Sequence, residues 1–555
     1  IFGVEEGQLY DKKAIHKRLG IGAETNPEYP SQISSLYQNE GYLMSNIDPV
    51  EIIIGEDSID LEIRIFEGRP FTINEVGISG NMRVDDEVIR REVYTRPGEL
   101  YNRALIMQTI RQLSQMQHFD PQTLMPNIMP VSNELVDISW PLTETASDKF
   151  EVSGGWGAGM FVGSVGIQLI NLSLKNAFKK GAWRPYPQGQ NQQLTIRAQT
   201  NGSYYKAFMG SFTEPWLGGK KPNSLTVSVH YSEETDAMNF YGLFQEATKH
   251  FRTTGITVGL GRRLSWPDQY FTLYNEVGYT RYNLKEWYDF LMNTGTANIF
   301  TLRTVFGRST VNQPIYPSSG SEFSLSLTLT PPYSLFDGKD YKEMDEFMSS
   351  YNSSTATNEE VAKYTRYNKD LYKFIEYHKW QANAKWFFPL TRDNKLVLMT
   401  RAEMGYLGSY NPYKVSPFEG FQLGGDGMSG YSIYGVDVIA LRGYEDGTLN
   451  PYYTGSYTQD YAKVYNKYTV EIRYPIIMQP QSQIYALAFA EGGNSFTSWK
   501  DFDPFRTKRP LGVDVRLYLP IFGMIGGDWG YGFDHPYRSI KPNGGKSCFM
   551  KSKQL

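Results

Sequence analysis

Six histidines (His16, His118, His230, His250, His378, His535) and one cysteine (Cys548) are the side chains best suited to nucleophilic work. None stands in a recognisable nucleophile context, with a base and an orienting acid around it. No G-x-x-x-x-G-K-[ST] occurs, so no nucleotide site is expected. The chain reads as a non-enzyme that needs no metal and no cofactor. What stands out is charge chemistry. Arg442 sits in Leu441-Arg442-Gly443-Tyr444, and four acids follow it in short ordered motifs: Glu471, Glu491, Asp514 and Asp528. A guanidinium engages a carboxylate through two parallel hydrogen bonds, and partial exclusion of water strengthens the contact.

The elements that must position these residues show in the spacing. Leu225, Val227, Val229 and Tyr231 alternate with polar residues, as do Phe323, Leu325, Leu327 and Leu329. Period two means strands with one apolar and one polar face. Sixteen such stretches are expected, near 149–158, 161–170, 191–201, 203–213, 223–232, 253–263, 270–282, 298–307, 320–330, 376–390, 394–406, 463–475, 484–493, 509–519, 524–533 and 544–555. An even number of strands, apolar outside and polar inside, is the mark of a transmembrane β-barrel. With 41 tyrosines and 15% aromatic residues the chain can furnish the aromatic girdles of such a barrel. The same content in a soluble lectin or propeller would be odd. No run of 18 apolar residues exists, which excludes a spanning helix. A net charge of −4 gives no hint of nucleic-acid binding.

Residues 1–146 differ. Helical spacing over Lys12–Leu19 and Pro30–Gln38 is followed by strands at Val50–Ile54 and Ser58–Phe66, then by a strand at Phe71–Ile78, helices at Asp85–Val93 and Asn102–Met116, and a closing strand pair at Met125–Pro130 and Glu134–Pro141. This is a β-α-α-β-β unit, complete over 69–146 and lacking its first strand over 1–68. The barrel is expected over 147–555, with a long surface loop at 407–462 and a polar one at 331–374, where helix or disorder is expected. Turns after even strands are short, apart from the connection 171–190. No signal peptide opens the chain, so a mature form with further units before Ile1 is expected.

Alternation also assigns faces. Val470, Ile472 and Tyr474 share one face of their strand and Thr469, Glu471 and Arg473 the other, which turns Glu471 inward. Asp514 and Asp528 fall on inward faces too. Glu491 shares a face with Tyr485, Leu487 and Phe489, which points it towards lipid unless a bulge before Gly492-Gly493 rotates it inward or it sits at the strand end in water.

The order Leu-Arg-Gly-Tyr, then Glu471-Ile472-Arg473-Tyr474-Pro475, then Gly526-Gly527-Asp528-Trp529-Gly530-Tyr531-Gly532 at barrel spacing resembles the outer-membrane β-barrel assembly factor superfamily, over nearly the whole chain. The β-α-α-β-β units resemble its periplasmic POTRA domains. The resemblance implies that the 407–462 loop folds back into the lumen, with Arg442 tethered to Glu471, Glu491, Asp514 or Asp528. Gly443 would make the tight turn and Tyr444 would pack on lumen glycines. It also implies a weakly paired seam between the first and last strands. The first strand carries Phe150, Val152, Gly154, Gly155 and Gly157, and glycine weakens a strand interior. The segment Gly545–Leu555, with three lysines and poor alternation, departs from the family's usual last strand.

The implied function is the central insertase of the barrel assembly machinery in a bacterial outer membrane, with POTRA domains in the periplasm. Its partners would be unfolded outer-membrane protein clients, periplasmic accessory lipoproteins, outer-membrane lipids and possible surface partners, with no nucleic acid. Alternatives are a two-partner secretion transporter that exports a protein, an outer-membrane phospholipase or protease, and a passive porin.

Overall fold

The structure is a computed structural model. It describes residues 7–21, 32–55, 58–120, 123–145, 148–157, 160–179, 181, 183, 185–200, 205–236, 246–287, 292–313, 315–352, 354–391, 394–425, 436–445, 447–451, 461–479, 482–519, 523–534 and 548–550. The chain divides into two compact units, one of residues 1–148 with 169–192, the other of 149–168 with 193–555.

In the first unit, α1 (Lys12–Leu19) begins where Asp11 Oδ1 accepts from the Lys13 and Ala14 amides at 3.0 and 3.2 Å, satisfying two orphan donors of the first turn. Helix α2 is Ile33–Asn39. Strands β1 (Asn46–Ile54) and β2 (Ser58–Phe66) pair antiparallel from Asn46↔Phe66 to Ile54↔Ser58, and they form a two-stranded sheet. Ile15, Leu19 and Ile47 make the small core beneath. The next β-α-α-β-β unit is β3 (Thr72–Ser79), α3 (Asp86–Arg90), α4 (Arg103–Gln115), β4 (Asn127–Pro130) and β5 (Leu135–Pro141). Its sheet order is β3-β5-β4, with β3 parallel to β5. Both β3 and β4 are therefore edges of this sheet. The apolar faces of α3 and α4 close on the sheet through Val88, Ile89, Ile106 and Leu113 against Ile73, Val136, Ile138 and Trp140.

The connection 171–190, out of pattern as a turn, belongs to this first unit. It lies across the start of α3. The Asp85 amide donates to Gly189 O at 3.0 Å, and the Asp85 carboxylate accepts from Gln190 Nε2 at 2.5 Å and Asn176 Nδ2 at 3.4 Å. Asn171 Nδ2 reaches Arg83 O at 2.9 Å. Its length thus serves docking on the second POTRA-like unit.

Among the described residues the largest sheet has sixteen antiparallel strands paired in chain order, most of it in the second unit. They are β6 (Lys149–Gly157), β7 (Met160–Leu172), β8 (Gln192–Thr200), β9 (Tyr205–Glu214), β10 (Asn223–Thr235), β11 (His250–Arg263), β12 (Phe271–Lys285), β13 (Gly295–Ser309), β14 (Gly320–Leu329), β15 (His378–Pro389), β16 (Val397–Gly408), β19 (Val464–Gln479), β20 (Ser482–Phe496), β21 (Pro510–Leu519), β22 (Gly523–Gly532) and β23 (Cys548–Met550). Burial alternates as the residue pattern requires. On β19, Tyr468, Val470, Ile472 and Tyr474 are exposed outward, while Thr469, Glu471 and Arg473 are buried inward. Phe271, Phe306 and Phe323 cluster on the outward face with centroids 5.1–6.0 Å apart, a piece of aromatic girdle near the short turns. Among the described residues no helix is long and apolar enough to cross a membrane.

The surface loop 331–374, where helix or disorder is expected from its residues, holds α5 (Tyr341–Ser350) and α6 (Asn358–Tyr372), the latter with a capping box between Thr357 and Glu360. Two features were not in the pattern. The 407–462 loop contains a parallel strand pair, β17 (Gly420–Leu423) with β18 (Val436–Ile439). The final strand is three residues within the expected 544–555, and its neighbours on either side lie outside the described residues, as does His535.

Candidate functional site

The loop carrying Leu441-Arg442-Gly443-Tyr444 is seated by both sequence-local and long-range contacts. Leu441 is fully buried, and its amide bonds Gly425 O at 3.1 Å. With Leu423, Tyr444 and Leu449 it makes a small apolar cluster. Gly443 has φ +94, a conformation costly for other residues. Its missing side chain also lets the loop reach β22, since a Cβ there would lie 3.1 Å from the Gly532 amide nitrogen and from Tyr531 C. Conversely, a Cβ on Gly530 would meet Gly443 N at 2.8 Å, and one on Gly532 would meet the Tyr444 ring at 2.7 Å. The glycines of β22 therefore form a lane on which the motif lies. Tyr444 Oη accepts from the Asp534 amide at 3.2 Å.

Arg442 is buried over the inward face of β19–β21. Its Nη2 donates to Glu471 Oε1 and Glu491 Oε1, both at 2.8 Å, its Nε to Glu491 Oε1 at 3.1 Å, and its amide to Glu491 Oε2 at 3.0 Å. Nη1 lies 3.5 Å from Asp514 Oδ2. The guanidinium carbon is 3.6 Å from the Phe489 ring centroid, a cation–π contact. Asp528 is buried directly opposite Asp514 in the β21–β22 register.

Glu491 corrects the expected face. The β19–β20 register runs unbroken from Val464↔Phe496 to Pro475↔Tyr485, so no bulge turns it. Instead the whole face of Tyr485, Leu487, Phe489 and Glu491 is inward and buried, and Ala486, Ala488 and Ala490 face outward. The apolar face of this strand packs Arg442 and Tyr316, whose ring lies 5.2 Å from that of Tyr485. Hydrophobicity marks a covered face, and here the cover is protein.

Sequence reasoning missed the other cations. Arg473 Nη2 binds Glu471 Oε2 at 2.6 Å, Arg516 Nε binds Asp514 Oδ2 at 2.9 Å, and Lys467 Nζ lies 3.3 Å from Glu491 Oε1 while donating to Ala440 O at 2.5 Å. Parity was the available signal: Arg473 and Arg516 each stand two residues from the acid they pair with, on its face. A second anchor, Lys379 Nζ to Glu419 at 2.8 Å and Asp437 at 2.9 Å, holds the base of the loop to β15. Burial of so many charges is tolerated because Glu471, Glu491 and Asp514 each meet a cation.

The seam residues lie apart from this network. Among the described residues β6 pairs only with β7, from Lys149↔Gln168 to Gly157↔Met160, with Gly154 opposite Gly163. Val152 stands opposite Val165, Gly155 opposite Val162, and Phe150 is exposed. At the other end of the order β23 pairs with β22 over Asp528–Gly530 alone. The two terminal strands thus have one described neighbour each.

Fold and site together define a POTRA-led, sixteen-stranded outer-membrane barrel with a buried loop tether. The Omp85 superfamily domain matches residues 188–541, and a POTRA model described as a surface antigen variable number repeat matches 71–143. The chain belongs to the Omp85 superfamily. The outer membrane is its location, with the POTRA units in the periplasm. It is 23% identical over 493 residues to outer membrane protein assembly factor BamA of Neisseria meningitidis, covering 85% of this chain and 49% of that protein. It is 28% identical over 230 residues to outer envelope protein 80, chloroplastic, of Oryza sativa subsp. japonica, covering 40% of this chain and 32% of that one. The chain spans about half the length of the first of these relatives. Among solved structures, BamA from Haemophilus ducreyi lacking POTRA domains 1-3 aligns over 99% of this chain and 94% of that one at 17% identity and TM-score 0.49. CdiB from Escherichia coli aligns over 90% and 78% at 12% identity and TM-score 0.48.

Proposed function

We propose that this chain takes part in outer-membrane protein assembly, as a non-enzymatic insertase that folds client barrels at the seam between β6 and β23. The observations that carry the reading are membership of the Omp85 superfamily and the glycine-to-glycine pairing of Gly154 with Gly163 on the first strand of the sheet order. An unpaired backbone N–H or C=O in hydrocarbon costs several kcal/mol. A strand edge facing lipid is therefore a strong acceptor for an incoming strand, which satisfies both chains by β-augmentation. The client supplies the driving term through backbone pairing and burial of its own apolar face, so no nucleotide is consumed. Clients arrive unfolded in the periplasm, and accessory lipoproteins dock on the POTRA units, whose β3 and β4 edges can take extended segments. The Arg442 network seats the loop on β19 to β22, beside the last strand of the sheet order.

The test is reconstitution of the full-length protein into liposomes, followed by addition of a urea-denatured client barrel. Heat-modifiable gel mobility reports folding. Folding at least tenfold faster than in protein-free liposomes is expected. Equal rates would overturn the reading, and passage of the client into the vesicle interior would favour the export transporter.

A further inference from the structure

The outward face of β8–β12 carries a recess of about 990 Å³ that the assembly reading does not use. Its origin is one residue. Gly210 on β9 lies between Ile196 on β8 and Val229 on β10, all on the outward face, so a side chain is missing from an otherwise continuous apolar wall. Ile256 and Tyr279 continue that row across β11 and β12. The row on the side of the short turns is wholly aliphatic and aromatic: Phe212, Val227, Val258 and Val277. Chemistry changes in the other direction, towards the long loops. The next row holds Phe208, Tyr231 and the exposed Arg281, and the row beyond it Lys206, Glu233 and Arg252.

Glu233 holds Arg252 through Nε at 2.6 Å. The bond fixes the guanidinium at the rim through Nε, and among the described residues Nη1 and Nη2 make no ion pair. Lys206, Arg252 and Arg281 against the single carboxylate of Glu233 leave a surplus of positive charge. A cationic rim above an aromatic row above an apolar recess is the order of groups in an anionic lipid seated from the outer leaflet: phosphate, interface, acyl chain.

We propose that this recess is a binding site for an anionic phospholipid, one whose headgroup puts no cation beside the phosphate, with an acyl chain over Gly210 and the phosphate on Arg252 and Arg281. The proposal rests on the membrane location and is independent of insertase action. An arginine fork suits a phosphate, and the dent lets a chain lie against backbone where a neighbouring barrel surface has side chains. Bound lipid would order the acyl layer over the third to sixth strand pairs counted from β6, away from both terminal strands in the sheet order.

The experiment is native mass spectrometry of the full-length protein, titrated in detergent with phosphatidylglycerol or with phosphatidylcholine of the same chains. Variants are Arg252→Gln with Arg281→Gln, which removes the rim charge, and Gly210→Leu, which fills the recess. A Cβ at Gly210 meets only Val229 Cγ2, at 3.5 Å, so the fold tolerates a side chain there. Heat-modifiable mobility confirms the barrel in each. The wild type is expected to retain phosphatidylglycerol at least tenfold more tightly than phosphatidylcholine. Either variant is expected to lose most of that preference, and inorganic phosphate at millimolar concentration is expected not to displace the lipid. Equal retention of the two lipids by the wild type, undiminished phosphatidylglycerol binding in both variants, or displacement by phosphate alone would each overturn the site.

Discussion

Arg442 donates four hydrogen bonds to two carboxylates and stacks on Phe489, yet its neighbours do not share the load evenly. Glu491 receives the Arg442 amide and side chain, while Glu471 is also held by Arg473. Removing one partner of a buried pair typically costs about 3–5 kcal/mol, because the other charge is left uncompensated. Arg442→Ala is therefore expected to undock the loop. Glu491→Gln is expected to loosen it more than Glu471→Gln, because Glu471 is one of two acids and Glu491 also binds the loop backbone. Limited proteolysis of the loop, measured on all three variants in folded barrels, checks the order. Equal protection in Glu491→Gln and wild type would contradict it. Arg442→Glu with Glu471→Arg is expected to recover only part of the docking, since the new arginine faces Arg473.

Elements show why some of this was legible and some was not. The first fifteen strands of the large sheet followed from alternation, because lipid outside and polar groups inside impose period two on each of them separately, whereas the last segment alternates poorly and only Cys548–Met550 of it is described. The inward turn of Glu471 followed from the same rule. The rule failed on β20, where Tyr485, Leu487 and Phe489 are apolar yet inward, because the loop and Tyr316 cover them in place of lipid. It was also silent on β17 and β18, whose pairing depends on a tertiary fold of the loop, and on the 171–190 connection, whose partners lie about ninety residues away in sequence. The glycine lane of β22 makes a further expectation. Gly530→Val would press a side chain against the backbone of Gly443, which cannot yield as a flexible side chain would. The loop is expected to lift and expose the bond after Arg442 to trypsin, with barrel mobility on gels unchanged. Persistent protection would show that the lane does not seat the motif.

The docked connection supplies a pH-dependent expectation at the same scale. His118 is buried, its Nε2 is 2.8 Å from Asn191 Oδ1, and burial holds its imidazole below the ordinary 6.5, against the opposing pull of that bond and of the Asp148 and Glu144 charges. The neutral ring is the form favoured in the fold. Its contribution is therefore complete above about pH 6.5 and is lost as pH falls below that value towards the lowered pKa. Hydrogen exchange over 171–191, corrected for intrinsic rate, is expected to be faster at pH 5.5 than at 7.5 in the wild type, and to lose that difference in His118→Gln. The same difference in the variant would assign the effect elsewhere.

At the scale of the whole molecule, the charged network, the glycine lane and the sheet order converge on the strands beside one terminal edge. The tether rests on β19 to β22, and β22 is the neighbour of β23. The tether thus sits on the strands beside the last one in the sheet order. The opposite edge, β6, has a glycine facing a glycine at Gly154 and Gly163, where neither side chain adds cross-strand packing. The account's central claim is that clients pair with that β6 edge. The direct measurement places a photocrosslinking amino acid at Phe150, Val152 and Gly154 in turn, and at Val258 on the outward face of β11 as the control, in full-length protein engaged with a stalled client. Crosslinks from the β6 positions and none from Val258 are expected. Clients that fold at the wild-type rate with no β6 crosslink, or that crosslink equally from Val258, would contradict it.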